Sequence, residues 1–236
     1  MNPPVSNPRR SFLSKALGSA ALAGLPFIAL RAAAQTSAPD AWISDVKGAH
    51  RCLFDFPQHK NFAPQMHILN FLNTYATAFK LPAGQAGAVG TFYSIGNQSS
   101  IPLAFNDAMW ARYGLGEYMN LKDAAGKPYV RNVFNRPTKD DAHLLMQAMQ
   151  TPPIPAMAEG MAAMGIENLQ KMGTKFLLCA NAFGGWCLEL EARGKGKAAE
   201  IQKELSANIL PGVTVVPAMV IAIEQAQAAG IRYNRQ

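Results

Sequence analysis

The chain has 236 residues and a formal charge of +7, and 49% of its residues are hydrophobic. This is enough for one domain with a full hydrophobic core. Four basic residues and no acidic residue lie within residues 1–34, so the rest of the chain carries only +3. That charge gives no reason to expect binding to nucleic acid or to an anionic membrane. Three cysteines are too few for a disulfide-dense scaffold. They form no Cys-x-x-Cys pattern, so the sequence gives no support for thioredoxin-type or c-type haem chemistry.

Residues 1–34 have the pattern of an export signal. Residues 7–15 read Asn-Pro-Arg-Arg-Ser-Phe-Leu-Ser-Lys and resemble a twin-arginine signal, and the apolar stretch 16–30 is followed by three alanines at 32–34. The apolar stretch is shorter than the ~20 residues that span a bilayer, so a permanent membrane anchor is the less favoured alternative. We therefore predict a cleaved twin-arginine signal peptide over 1–34. The mature protein, 35–236, is then periplasmic, with no stable membrane insertion after cleavage.

The mature chain alternates between strand-like and helix-like hydrophobic patterns. We predict strands over 50–56, 86–95, 175–179, 213–216 and 231–233, with Cys52, Phe54 and Phe56 on one face of the first strand and Leu53 on the other. Helices are predicted between the strands, at 64–79, 101–113, 141–150, 156–172, 183–193, 197–208 and 217–229. Strands that alternate with helices predict an α/β fold, with a three-layer, doubly wound, mostly parallel five-stranded sheet in a single domain.

Residues 97–155 form a long insert between the second and third predicted strands. Its part from 121 to 138 is polar and rich in turn residues, which predicts an excursion on the surface. The insert is also rich in aromatic residues, namely Phe105, Trp110, Tyr113, Tyr118, Tyr129 and Phe134. One hypothesis is therefore a non-catalytic periplasmic binding or assembly module, in which these rings build a subunit interface or a ligand pocket.

The segment 175–187 contains the leading candidate for chemistry. Cys179 ends a short apolar strand and precedes a small-residue turn into a helix. Ligands and reactive groups gather where such strands end, and the first N–H groups of a helix favour a thiolate. The alternative is a small apolar residue that caps a buried strand. Cys187, eight residues later, is either a resolving thiol that pairs with Cys179, with Gly184 and Gly185 allowing a close return of the chain, or a cysteine in the helix core.

Four polar residues near the predicted carboxyl edge of the sheet are candidates for ligand binding. Asn97 and Ser99 follow the second strand, His59 lies in the loop after the first strand, and Asn181 follows Cys179. The alternative for each is a surface or capping role. The four histidines of the chain show no metal-ligand spacing and the chain has no phosphate-loop motif, so neither a metal site nor a nucleotide site is predicted, and no cofactor is assigned.

The carboxyl-terminal third of the chain resembles the DsrE/DsrF-like family, which includes the TusD-type sulfur-relay proteins. The resemblance rests on Phe-Leu-Leu-Cys-Ala-Asn-Ala at 176–182 and on Leu-Pro-Gly-Val-Thr-Val-Val-Pro-Ala at 210–218, followed by an apolar helix and Gly-x-x-Tyr at 230–233. It implies a small α/β sandwich that forms homo- or hetero-trimers and hexamers. In the sulfur-relay members the cysteine at the end of the equivalent strand carries a persulfide that is handed between proteins, and Cys179 occupies that position. The function implied is therefore the handling of reduced sulfur species by an exported relative.

Overall fold

The computed structural model describes residues 38–236, so the predicted signal peptide lies outside the described residues. Within this range no helix has both the length and the apolar character needed to cross a bilayer.

A single five-stranded sheet organises the described chain. Its strands are β1 (His50–Asp55), β2 (Ala86–Phe92), β3 (Thr174–Cys179), β4 (Val213–Val216) and β5 (Arg232–Arg235). They lie in the order β4-β3-β2-β1-β5, and every neighbouring pair is parallel. Gly90 lies at the centre of the sheet, where a Cβ atom would come within 2.5 Å of the Phe176 ring. The predicted α/β fold with a parallel five-stranded sheet is confirmed.

Nine α-helices and five short 3-10 helices connect the strands within residues 38–236. The α-helices are α1 (Ala63–Thr77), α2 (Asp107–Tyr113), α3 (Leu115–Tyr118), α4 (Ala142–Met149), α5 (Pro155–Glu159), α6 (Ile166–Lys171), α7 (Ala180–Ala192), α8 (Ala198–Ser206) and α9 (Met219–Ala228). The 3-10 helices are Ala41–Asp45, Lys60–Phe62, Ile101–Ala104, Lys139–Asp141 and Met161–Met164.

The two faces of the sheet bury separate hydrophobic clusters. We call the side that carries Phe54, Phe92 and Phe176 the first face, and it is covered by α1 and by most of the chain between β2 and β4. The second face carries Leu53, Val89, Leu177 and Cys179. It is covered by α9 and by the 3-10 helix Ala41–Asp45, which contributes the buried ring of Trp42. The predicted alternation along the first strand is confirmed, since Cys52, Phe54 and Phe56 belong to the first-face cluster and Leu53 to the second.

The predicted surface excursion at 121–138 is confirmed for 122–128, which is mostly exposed, but it is wrong for 129–137, which contributes to the core of the first face. Phe134 is fully buried and packs against Phe62 and Trp110, at ring-centroid distances of 4.6 and 6.2 Å. The buried Asn132 amide donates to the carbonyl oxygens of Leu103 and Phe105, at 2.9 and 2.7 Å. A polar residue can therefore stabilise buried backbone here, where composition alone indicated solvent exposure.

The six aromatic residues of the insert are likewise buried within this chain, between 0% and 9% exposed. They support the interior of the domain and leave little ring surface for contact with another subunit, and the hypothesis of a binding or assembly module stays a prediction.

The helix predicted over 156–172 is interrupted. It consists of α5, the 3-10 helix Met161–Met164 and α6, with the breaks at Gly160 and Gly165. A Cβ atom at Gly165 would lie 2.7 Å from the Asn135 carbonyl oxygen, so the chain turns where it passes close to the insert. The periodic methionines predicted one helix, whereas this contact with a distant segment divides it.

Candidate functional site

Cys179 lies at the carboxyl end of β3 and is the residue that immediately precedes α7. Its sulfur accepts the backbone N–H of Ala182 in the first turn of α7, at 3.4 Å. It also accepts the backbone N–H of Met219, the first residue of α9, at 3.3 Å. Two helices therefore begin against the same sulfur atom, one following β3 and the other following β4.

This arrangement favours negative charge on the Cys179 sulfur. The N-terminus of a helix carries a partial positive charge, and N–H groups that have no partner within the helix can donate to an anion. Both helices are long enough for this effect, with 13 residues in α7 and 10 in α9. Cys179 is 5% exposed, so little solvent weakens these interactions. The structure therefore places two hydrogen-bond donors on this sulfur, and an anionic acceptor forms stronger hydrogen bonds than a neutral one.

The other two cysteines have the opposite environment. Cys52 and Cys187 are buried in the apolar cluster of the first face. Burial raises the pKa of Cys52 to about 11 and that of Cys187 to about 12. Both thiols therefore stay protonated and unreactive at neutral pH.

Cys187 and Cys179 are not brought together. Cys187 follows Cys179 by eight residues along α7, which corresponds to about 12 Å of helix rise. The Cα atoms of a disulfide lie within roughly 7 Å of each other, and the two thiols belong to the clusters on opposite faces. The proposed resolving role of Cys187 is therefore not supported. Gly185 does not serve a close return of the chain towards Cys179. It leaves room for the side chain of Ile95, which lies 3.7 Å from the position that a Cβ atom would occupy.

His59 is buried on the side of the sheet opposite Cys179, with its ring 5.6 Å from that of Phe134. Burial lowers its pKa to about 4, so the imidazole is neutral at neutral pH. Its Nδ1 accepts the backbone N–H of Asn61 at 3.2 Å, so in the neutral ring the proton is on Nε2. His59 is thus a capping residue of the 3-10 helix Lys60–Phe62, and it does not act on the thiol.

The remaining predicted ligand residues lie near the carboxyl edge but have different surroundings. Ser99 is buried, and its hydroxyl donates to the Ser94 carbonyl at 3.1 Å and accepts the Ile101 N–H at 3.0 Å, which fixes the loop after β2. Asn97 is exposed in the same loop. Asn181 is exposed in the first turn of α7, and its backbone N–H donates to the Pro217 carbonyl at 3.3 Å. Asn181 is therefore the one of these residues that lies beside Cys179.

A polar network on the second face was missed from the sequence. The carboxylate of Asp55, at the end of β1, is only 4% exposed. Its Oδ1 accepts the hydroxyl of Thr91 at 3.2 Å, and its Oδ2 accepts the hydroxyl of Tyr233 at 2.8 Å. The sequence signal for this network was Asp55 itself, an acidic residue in a mostly apolar strand. A carboxylate that is buried in a sheet needs hydrogen-bond partners, so its position predicts polar neighbours.

Tyr93 directly follows β2, which lies between the strand of Asp55 and the strand of Cys179. The last register pair between β2 and β3 is Phe92 with Leu178, so Tyr93 and Cys179 are the next residues of adjacent strands and point to the same face. Tyr93 packs against the cluster that contains Cys179. Burial, and secondarily the nearby Asp55 carboxylate, raises the pKa of the Tyr93 phenol. The second face therefore carries a protonated phenol at the end of the strand next to that of Cys179.

Within residues 38–236, no cluster of three His, Cys, Asp or Glu side chains is placed to hold a metal ion.

Comparisons with known proteins identify no relative. No protein-family model matches this chain, and neither curated proteins nor solved structures include a match to it.

Proposed function

We propose that the protein carries reduced sulfur on Cys179. The observation that supports this proposal is the pair of backbone N–H groups, from Ala182 and Met219, that donate to the Cys179 sulfur at the starts of two helices. Because these donors favour an anionic sulfur, Cys179 is the nucleophile among the three thiols.

The proposed step is the transfer of one sulfur atom from a donor persulfide. The Cys179 thiolate attacks the outer sulfur of the donor, R–S–SH, and forms a new S–S bond. The S–S bond of the donor breaks, and the electron pair leaves with R–S⁻. The transferred sulfur keeps its proton, so the product is Cys179–S–SH and no external oxidant is consumed.

Location and assembly belong to the same proposal. The twin-arginine pattern at 9–10 supports export in the folded state to the periplasm. The resemblance to DsrE/DsrF-like proteins supports a trimer or hexamer of this chain. Exchanging both arginines for lysine and following the full-length protein in cell fractions tests the first point, and the mass of the native assembly in solution tests the second.

Persulfide loading tests the function directly. The purified protein is incubated with cysteine persulfide, separated from the donor and weighed intact by mass spectrometry. We expect one added sulfur atom per chain in the wild type and in the variants Cys52→Ala and Cys187→Ala. We expect none in Cys179→Ser, after circular dichroism has shown that each variant is folded. A wild type that gains no sulfur, or a Cys179→Ser variant that still gains it, contradicts the proposal.

A non-catalytic module remains the second candidate, and one observation favours it. The Cys179 sulfur caps α7 and is 5% exposed, as expected of a cysteine whose role is structural. In that case Cys179→Ser keeps the capping interaction, because serine is also a good capping residue. The wild-type protein would then neither take up sulfur nor react with alkylating agents in its native state.

A further inference from the structure

The edge of the sheet at β5 is open in the part of the chain that the structure describes. β5 pairs with β1 on one side and lies at the end of the strand order. The Gln236 N–H donates to the Asp55 carbonyl at 2.9 Å. Because alternate residues of a parallel strand face its neighbour, the backbone groups of Asn234 also face β1, whereas those of Tyr233 and Arg235 point outward. These outward N–H and C=O groups are a template for another strand.

A groove runs along this edge on the first face, between β5 and α1. Its volume is about 620 Å³, which lies in the usual range for binding sites. The wall formed by α1 and its carboxyl-terminal extension carries the rings of Phe71, Tyr75 and Phe79, with successive ring centroids 5.0 and 5.3 Å apart. Phe79 is 66% exposed, although its helical spacing predicts a place on the apolar face. An exposed aromatic wall of this kind fits apolar side chains of a partner.

The charge at this edge is positive. Arg235 lies at the rim of the groove, and as the register partner of Asp55 it carries its side chain on the second face, whereas Arg232, the register partner of Cys52, is on the first face. No Asp or Glu is among the residues that line the groove. Pairing of β5 with β5 of a second copy would bring arginines of two strands together, which is unfavourable. The same arginines would favour a segment that carries carboxylates.

We propose that this groove binds an extended acidic segment of another protein, which adds to β5 as a further strand and places its apolar side chains on the rings of α1. The outward backbone groups of Tyr233 and Arg235 supply the main-chain hydrogen bonds. The arginines select for acidic side chains, and Phe71, Tyr75 and Phe79 select for apolar ones. This interaction is independent of Cys179, which lies two strands away from β1 in the sheet order and on the second face.

Selection from a random peptide library displayed on phage tests this proposal on the purified protein. We expect enriched peptides to contain Asp or Glu together with aromatic or aliphatic residues. The affinity of a synthetic enriched peptide is then measured by calorimetry against single variants. Arg235→Ala, which removes the charge, should weaken binding by about tenfold. Arg235→Pro, which also removes the outward N–H, should weaken binding further. Arg235→Lys, which keeps the charge, should retain most of the wild-type affinity.

Two variants locate the binding surface. Phe79→Ser is expected to weaken the peptide by about tenfold or more, whereas Val220→Ser, a 70% exposed position on α9, should leave the affinity unchanged. Failure to enrich any peptide, enrichment of basic peptides, or an affinity that is the same in Arg235→Pro and Phe79→Ser as in the wild type would overturn the proposal. So would self-association of the protein that Arg235→Pro abolishes, because the edge would then belong to a second copy.

Discussion

The two faces of the sheet differ in what their helices bury. On the first face, α1 and the long connection between β2 and β3 enclose an apolar core of aromatic rings, with Phe105, Trp110 and Trp186 fully buried. The second face has a smaller apolar cluster, and at its carboxyl edge lie the sulfur of Cys179 and the carboxylate of Asp55. Two thiols lie in the first core, and one lies on the second face.

This difference shows how a position within a sheet decides the chemistry of identical side chains. Cys187 is surrounded by apolar groups, and burial raises its pKa to about 12. The Cys179 sulfur is also buried but faces two backbone N–H groups. Burial makes a thiol inert where the surroundings are apolar, and it strengthens the effect of N–H donors where they are aimed at the sulfur.

The largest expected loss of stability comes from a cavity in the core of the first face. Phe134→Ala removes a ring that packs against Phe62 and Trp110, and we expect a loss of about 3–5 kcal/mol in the free energy of unfolding. Val220→Ala, at an exposed position on α9, should change it by less than about 0.5 kcal/mol. Urea unfolding measures both. A loss below about 1 kcal/mol for Phe134→Ala would mean that the insert is not part of the core.

An ion pair within the insert, between the buried Asp141 and the partly exposed Arg131, gives the next largest loss of stability. Asp141 accepts two hydrogen bonds from Arg131, at 2.8 and 2.7 Å, and one from Tyr129 at 2.7 Å. Burial opposes ionisation of Asp141, but hydrogen bonds from Thr138, Arg131 and Tyr129 outweigh it and hold the pKa below the usual 3.8. Asp141→Asn should lower the free energy of unfolding by about 2–3 kcal/mol at neutral pH, because it weakens hydrogen bonds to a charged group.

The pH dependence of that loss has a definite sign. The folded pKa of Asp141 is below the unfolded value of 3.8, so its contribution is complete above that value and is lost as the pH falls through the folded pKa. The difference in unfolding free energy between wild type and Asp141→Asn should therefore shrink in acid. A difference that grows as the pH is lowered would contradict this assignment.

A smaller effect is expected on the second face, where the polar network is partly exposed. Tyr233→Phe removes the hydroxyl that donates to Asp55 at 2.8 Å, and we expect a loss of about 1 kcal/mol. Tyr75→Phe is the matched control, because the Tyr75 hydroxyl has no hydrogen-bond partner in the described part of the chain. Equal unfolding free energies for the two variants would show that the Asp55 network does not stabilise the fold.

Local patterns in the sequence were sufficient to predict the sheet, but they did not predict the buried part of the long insert or the polar network around Asp55. Alternation placed Cys52, Phe54 and Phe56 on one side because that pattern depends only on neighbouring residues. The contacts of Asn132 with Leu103 and Phe105 and the bond between Tyr233 and Asp55, 178 residues apart, join distant segments. Their partners cannot be identified from local composition, which is why the buried part of 121–138 was predicted to be exposed.

The contrast between the thiols also depended on a distant contact. The strand-end position of Cys179 and the N–H groups of the following helix could be predicted from 175–187. The second donor, Met219, is 40 residues away in sequence, and it reaches the sulfur because β4 lies beside β3. Of the two alternatives for Cys187, the helix-core position is confirmed and pairing with Cys179 is not, because α7 begins directly after Cys179 and separates the two residues along its axis.

The most direct test of the central claim is the rate of alkylation at each cysteine in the native protein. Iodoacetamide is added at neutral pH, and the modified fraction of Cys52, Cys179 and Cys187 is followed over time by peptide mass spectrometry, with urea-unfolded protein as the reference. We predict that Cys179 reacts in the native state, while Cys52 and Cys187 react only after unfolding. Native protection of Cys179 equal to that of the other two thiols would contradict the account.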